Sequence, residues 1–322
     1  MQDVADAAGV ALVTVSRALN EPDKVRPGTL ARVQVAVEAL GYVPDLTAGS
    51  LASSRSHIVG AIVPTLANAW FADAMEGLAA GLAPHGYQLM LAQSQYHPQS
   101  EAGLVDAFLG RRVDAVVLTG RSHPKAMRER LRAQGLPVVE IWDLPKQPID
   151  MAVGFSHPAL GESVGRYLHE TGHTRVGFVG ADEERSRLRL QGLCTGLGQA
   201  DVPCEFVVPP SSIDSGREAL ARLCAGADVS AVFCSNDLLA IGALMHCREQ
   251  GWPVPQRLAV VGFSDLPVAK AVTPALTTVR IAAREIGERA ARMLLERFAG
   301  AHFQPRDRIV DLGFRLVARE SA

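Results

Sequence analysis

The chain has 322 residues, 48% hydrophobic and 20% charged, a globular composition with room for two or three domains at roughly 100 to 200 residues each. Its 32 Lys and Arg nearly balance 34 Asp and Glu, a formal charge of −2, so no global basic excess advertises a polyanionic partner. No apolar run reaches the ~18 residues of a membrane span, and the N-terminus has neither the basic nor the apolar region of a signal peptide, which predicts a cytoplasmic protein with no membrane partner.

Residues 1–44 read as helices only. Asp3 to Ala8, Val13 to Leu19 and Thr29 to Leu40 carry apolar residues at helical spacing, the last as the stripe Leu30, Val33, Val37 and Leu40. Ala5, Gly9 and Val15 meet the three demands of a helix-turn-helix: a small residue where two helices cross, a turn residue tolerant of positive φ, and a β-branched residue packing the second helix on the first. Thr14, Ser16, Arg17 and Asn20 then fall near the exposed side of the second helix, as in a recognition helix. Gly41-Tyr42-Val43-Pro44 breaks the third helix, and Asp45 is placed to cap a short one over Leu46 to Ser53.

From His57 onward, short apolar runs alternate with amphipathic helices. The runs are Ile58 to Val63, Gln88 to Ala92, Ala115 to Leu118, Val138 to Ile141, Val176 to Val179, Ala231 to Phe233 and Leu258 to Val261. Such strands joined by helical crossovers predict α/β subdomains with parallel sheets covered on both faces. There is too much of this for one sheet, and Pro148-Ile149-Asp150-Met151 offers a break between two halves. The final strands, Arg308 to Leu312 and Phe314 to Val317, are expected to return to the first half. Five cysteines, Cys194, Cys204, Cys224, Cys234 and Cys247, show no C-x-x-C spacing and are expected as buried free thiols rather than disulfides or metal ligands.

Asp3-Val4-Ala5 through Gly9-Val10, Thr14-Val15-Ser16-Arg17 and Leu40-Gly41-Tyr42-Val43-Pro44 together resemble the headpiece signature of the lactose/galactose-repressor family of bacterial transcriptional regulators. Asn68-Ala69-Trp70-Phe71-Ala72, Phe233-Cys234-Ser235-Asn236-Asp237, Val261-Gly262-Phe263 and Thr273-Pro274-Ala275-Leu276-Thr277-Thr278-Val279 extend the resemblance over essentially the whole chain. It implies a helix-turn-helix headpiece (1–44), a hinge helix (45–56) and an effector-binding and dimerisation core of two periplasmic-binding-protein-like subdomains (57–322). The implied partners are operator DNA, a small effector and a second copy of the chain, with no cofactor, no metal and no catalytic residue.

By the same resemblance, Leu12, Val13 and Arg17 face base edges in the major groove. A bidentate Arg17–guanine pair would supply about 1–3 kcal/mol of discrimination, while Leu12 and Val13 offer apolar contact only. Asn20, Arg26, Thr29 and Tyr42 match phosphate-contacting positions, which set register. In the hinge, Leu51 occupies the place of a leucine wedge inserted between base pairs of the minor groove, with Ala48 one turn before it. The family usually has a capping Ser where Ala11 stands here, a loss of about 1 kcal/mol of local helix stability, and the chain begins several residues later than the family norm, which predicts lower DNA affinity. Residues 1–60 hold five basic and six acidic side chains, so shallow salt dependence is expected. No leucine heptad follows Val317, which argues against a tail-mediated tetramer.

In the core the resemblance places Phe71, Arg189 and Asn236 against the effector. Many sugar-binding members carry a carboxylate at the position of Ser264. Its replacement removes repulsion toward an anion, for which Arg121, His123 and Arg189 are candidate donors. Leu118 to His123, Pro137 to Asp143 and Ile149 to Phe155 look most like the gluconate-repressor branch, implying a sugar acid such as gluconate or a ketogluconate. Two rivals are a periplasmic-type sugar-binding protein, which would need a signal peptide and no headpiece, and a two-subdomain α/β enzyme. Against the enzyme, the sequence lacks G-x-G-x-x-G after a strand, a P-loop, H-E-x-x-H and G-x-S-x-G.

Overall fold

The computed structural model describes residues 1–42, 55–304 and 307–322; the predicted hinge helix, with Ala48 and Leu51, lies outside these. The chain divides into two units, Met1–Ser56 and His57–Ala322. Among the described residues, no helix is long and apolar enough to cross a membrane.

The first unit contains α1 (Gln2–Ala8), α2 (Leu12–Asn20) and α3 (Pro27–Ala39). Val4, Ala5, Ala8, Val15, Ala18, Val33 and Ala36 form its buried core. Gly9 ends α1 at φ 61°, ψ 45°, a left-handed conformation that glycine adopts without a Cβ penalty. Leu40, predicted on the buried stripe, is instead 49% exposed because it lies just past the end of α3, where Tyr42 packs against the core in its place.

The second unit contains two six-stranded sheets, each built mainly of parallel strands, as the apolar runs imply. The first has the order β11-β5-β4-β3-β1-β2, from β1 (Ile58–Val63), β2 (Gln88–Gln93), β3 (Ala115–Thr119), β4 (Val138–Trp142), β5 (Met151–Gly154) and β11 (Ile309–Asp311). The second has the order β12-β10-β9-β8-β6-β7, from β6 (Val176–Ala181), β7 (Cys204–Val207), β8 (Ala231–Cys234), β9 (Ala259–Ser264), β10 (Thr277–Arg280) and β12 (Arg315–Val317).

Two sequence expectations need correction. The break between halves is not at 148–151: Met151 to Gly154 pair with β4 as a strand of the first sheet, and the chain leaves that lobe only after Phe155. The last two strands do not both return to the first lobe. β11 pairs with β5, but β12 runs antiparallel to β10 in the second sheet, since Gly313 turns the chain at φ 66° between them.

Helices cover both sheets. Those that matter for the site are α4 (Ala69–Leu82), α5 (Pro98–Gly110), α6 (Lys125–Ala133), α7 (His157–Glu170), α8 (Glu184–Leu197), α9 (Ile213–Gly226), α10 (Asp237–Glu249) and α11 (Ala283–Phe298). α7 and α8 pack backbone to backbone, because a methyl group added at Gly161 would overlap the carbonyl oxygen of Arg189, and one at Gly192 that of Pro158. Of the cysteines, all free, only Cys234 and Cys247 are buried; Cys194 and Cys224 are partly so and Cys204 is exposed. Cys204 lies on the edge strand β7, which leaves its side chain uncovered.

Candidate functional site

Parallel strands point their carboxyl ends the same way, and in open α/β sheets the crevice beyond those ends is where ligands bind. Here the loops leaving the strands of both lobes converge on one cavity. From the first lobe come Asn68, Trp70 and Phe71 after β1, Tyr96 after β2, Trp142 at the end of β4 and Phe155 after β5. From the second come His157 at the start of α7, Glu183, Arg185 and Arg189 around the start of α8, and Ser235, Asn236 and Phe263.

The walls are aromatic. Phe71 meets Trp142 edge-on at 5.3 Å between centroids, and Trp142 meets Phe155 edge-on at 5.9 Å. Arg189 lies over Phe263, and Arg185 lies 5.5 Å from the Phe71 centroid, a cation–π arrangement that holds a guanidinium flat.

Arg185 donates to Glu183 at 3.0 Å and Arg189 lies 3.6 Å from the same carboxylate, and the Asp143 carboxyl also acts on both guanidiniums. Burial pulls Arg189 down to about 10 despite Glu183, which still leaves it charged at neutral pH. Asp143, adjacent to the cavity, is raised to about 6 by burial, against the opposing pull of Arg185 and Arg121. His157 is driven well below its usual value by burial and by Arg189, Arg185 and Arg121, so its ring is neutral. Trp142 Nε1, both nitrogens of His157, Asp143 Oδ2 and Arg189 Nε are buried without a hydrogen-bond partner. Such groups are costly unless something pairs with them, and three of the four residues line the cavity.

Phe71, Arg189 and Asn236 thus lie on the cavity. Asn236 Oδ1 accepts the backbone N–H of Leu239 at 3.0 Å, capping α10, which leaves its amide NH2 as the group to offer. Arg121, His123 and Ser264 do not line it. Arg121 pairs with Glu184, His123 is buried against Glu101, and Ser264 donates to Asp237 at 3.3 Å. Arg121 and His123 follow β3 and Ser264 ends β9, all at the correct end, but the side chains turn into other partners. Asp265 is turned away too, held by Arg280 and Arg319 at 2.5 Å each. Arg185 is the cation that the sequence reading passes over, and its spacing of four from Arg189 on one helix is the signal that would have found it.

In the first unit, Leu12 and Val13 are 45% and 57% exposed, an apolar pair left uncovered at the start of α2. Arg17 and Arg26 are also exposed, while Thr14, Ser16, Thr29 and Tyr42 are half-buried, and Asn20 closes α2. Ala11 precedes α2 with no side-chain cap.

Comparison with known proteins gives the family. Residues 1–45 match the lacI family of bacterial regulatory proteins, and residues 166–322 match the periplasmic binding protein-like domain. The HTH-type transcriptional regulator GntR of Pseudomonas aeruginosa is 36% identical, covering 100% of this chain and 95% of its own. A LacI-family transcriptional regulator from Silicibacter pomeroyi superposes with a TM-score of 0.91 at 32% identity, covering 99% of this chain and 98% of its own. The transcription regulator GntR from Chromobacterium violaceum is 39% identical with a TM-score of 0.77, covering 82% of this chain and 98% of its own. The helix-turn-helix unit, the two-lobed core and these relatives place the chain in the LacI family: it is a DNA-binding transcriptional regulator.

Proposed function

We propose that the protein is a cytoplasmic homodimeric repressor whose operator binding is controlled by a sugar acid, such as gluconate or a ketogluconate, held in the cleft between the lobes. The observation that carries the effector class is the pair Arg185 and Arg189 on the cavity wall, with Arg189 Nε buried and without a hydrogen-bond partner. A ligand carboxylate would supply that partner through a charge-assisted hydrogen bond. The aromatic walls suit the carbon chain, and Trp142 Nε1, His157 and the Asn236 amide suit its hydroxyls. The likeness to regulators named GntR supports the same class.

Because both lobes contribute to the cavity, a ligand that fits one lobe arrangement better than another shifts the population between them by its differential affinity. That coupling is read out as a change in operator affinity. On the DNA side, Arg17 supplies base recognition, Leu12 and Val13 apolar contact, and Arg26, Thr29 and Tyr42 backbone positioning.

Isothermal titration of gluconate against gluconolactone and glucose tests the effector class, with gluconate binding expected to be tightest. Tight binding of glucose alone would overturn the anion reading. Footprinting of the gene's own upstream region, with and without gluconate, tests the regulatory reading through a protected site whose occupancy changes with the ligand.

A further inference from the structure

The loop after β3 ties the two lobes together outside the cavity. Arg121 donates through Nε to Glu184 Oε1 at 3.0 Å, with Nη2 also 3.0 Å from that oxygen. Ser122 Oγ donates to Glu184 Oε2 at 2.5 Å. Both carboxylate oxygens of a second-lobe residue are therefore taken by the first lobe. Glu184 is the first residue of α8, directly ahead of Arg185 and just over one turn ahead of Arg189, and neither it nor Arg121 lines the cavity.

The same loop is fixed from beneath by a buried ionic set. The side chain of His123 is 1% exposed. Its Nδ1 lies 2.9 Å from Glu101 Oε2, and its Nε2 lies 3.2 Å from the carbonyl oxygen of Gly120. An ionised carboxylate and a carbonyl can only accept, so both ring nitrogens carry protons and the ring is an imidazolium. Glu140 of β4, with Oε1 3.6 Å from Nε2, adds a second counter-charge. Arg128 of α6 sits on Glu140 at 3.2 Å and donates to the carbonyl of Arg121 at 3.5 Å. The carbonyls of Gly120 and Arg121, which shape the loop, are thus held by His123 and Arg128. Burial pulls the His123 pKa down, but the Glu101 hydrogen bond and the charges of Glu101 and Glu140 outweigh it and hold it above the usual value.

We propose that Arg121, Ser122 and Glu184 form an interlobe clasp that positions Arg185 and Arg189 for the effector, and that the His123 imidazolium keeps the clasp loop in the shape that reaches Glu184. The positioning role rests on the cleft being the effector site; the clasp does not. With side chains 35% and 43% exposed, the Arg121–Glu184 pair is screened by solvent, a strength suited to a contact that must open. The groups facing His123 are Glu101 from α5, Glu140 from β4 and, behind Glu140, Arg128 from α6. On the alkaline side of neutrality His123 is the one of these that loses its charge. The clasp is therefore firmest below the raised His123 pKa while its carboxylates are ionised, a window that the burial-raised pKa of Glu140 bounds on the acid side, and it loosens as pH rises through the His123 pKa.

Charge reversal on the full-length chain tests this. Arg121→Glu should speed amide hydrogen exchange in residues 119–124 and 183–190 and weaken gluconate binding about fivefold or more, and the double variant Arg121→Glu with Glu184→Arg should restore both. In the wild type, exchange of the 119–124 segment, corrected for intrinsic rate, should step up above neutral pH, and His123→Gln should abolish the step. If the single reversal leaves exchange unchanged, or the double variant fails to restore it, the clasp is refuted. If the wild type binds no gluconate, the effector reading fails, and the exchange measurements alone decide the clasp.

Discussion

The guanidinium carbon of Arg189 lies 4.3 Å from the centre of the Phe263 ring. Stacking keeps a planar cation flat, and Nε has no protein partner, so the group is set to make a two-pronged contact with a carboxylate. Lysine would keep the charge and lose the plane. Arg189→Lys is therefore expected to cut gluconate affinity at least tenfold, about 1.4 kcal/mol or more, while thermal stability changes little. Titration calorimetry checks the first outcome and a melting curve the second.

Acidity should modulate the same site. Asp143 is raised to about 6, foremost by burial, so its carboxyl is neutral below that pH and anionic above it. An anion beside the cavity opposes an anionic ligand. Gluconate affinity should fall by about tenfold between pH 5.5 and 7.5 if binding favours the neutral form. Asp143→Asn should flatten that part of the profile, and calorimetry in buffers of differing ionisation enthalpy should show proton uptake on binding in the wild type only.

At the headpiece, α2 begins after Ala11 with no side-chain cap. Ala11→Ser supplies an acceptor for an otherwise unpaired N–H and is expected to stabilise the unit by about 1 kcal/mol. Gel-shift titration should show tighter operator binding. By contrast, Arg17→Ala should lower specific affinity by about 10- to 100-fold, the equivalent of one bidentate base contact, with the circular dichroism spectrum unchanged.

Helix packing gives a stability prediction that reaches the site. Gly161→Ala drives a methyl group into the carbonyl of Arg189. Overpacking of this kind costs about 1–3 kcal/mol, to be read from the urea midpoint. Because the displaced backbone carries Arg189, gluconate affinity should drop as well. Gly226→Ala at the end of α9, where the backbone is helical and a methyl group meets nothing within 4 Å, is a comparison that leaves the cleft alone.

The headpiece is legible in the sequence because it is local: Ala5, Gly9 and Val15 lie within eleven residues and each does one geometric task. The strands of the core are legible where they are long and apolar. β5, β7 and β10 are not. β5 has four residues, β7 is a half-exposed edge, and in β10 the buried Thr277 and Thr278 read as polar although Thr278 donates to Asp237 at 2.6 Å. In the cleft, Phe71, Arg189 and Asn236 follow from motif positions. His157 and Trp142 do not, because only the crossing of the chain after Phe155 brings them beside Arg189. For Arg121 and His123, sequence locates the loop but not which way each side chain turns, a matter settled by Glu184 and Glu101 from distant segments.

The chain passes between the lobes after Phe155, after Ile281 and again at Gly313, so neither lobe is a contiguous stretch. On the ribosome, the first sheet lacks its edge strand β11, and α4 lacks its partner α11, until residues beyond 283 and 309 have emerged. A nascent chain halted at residue 280 would hold two unfinished lobes rather than one finished and one absent, and would expose the apolar face of α4. A chaperone acting during synthesis is thus expected to stay bound until nearly the whole polypeptide is made.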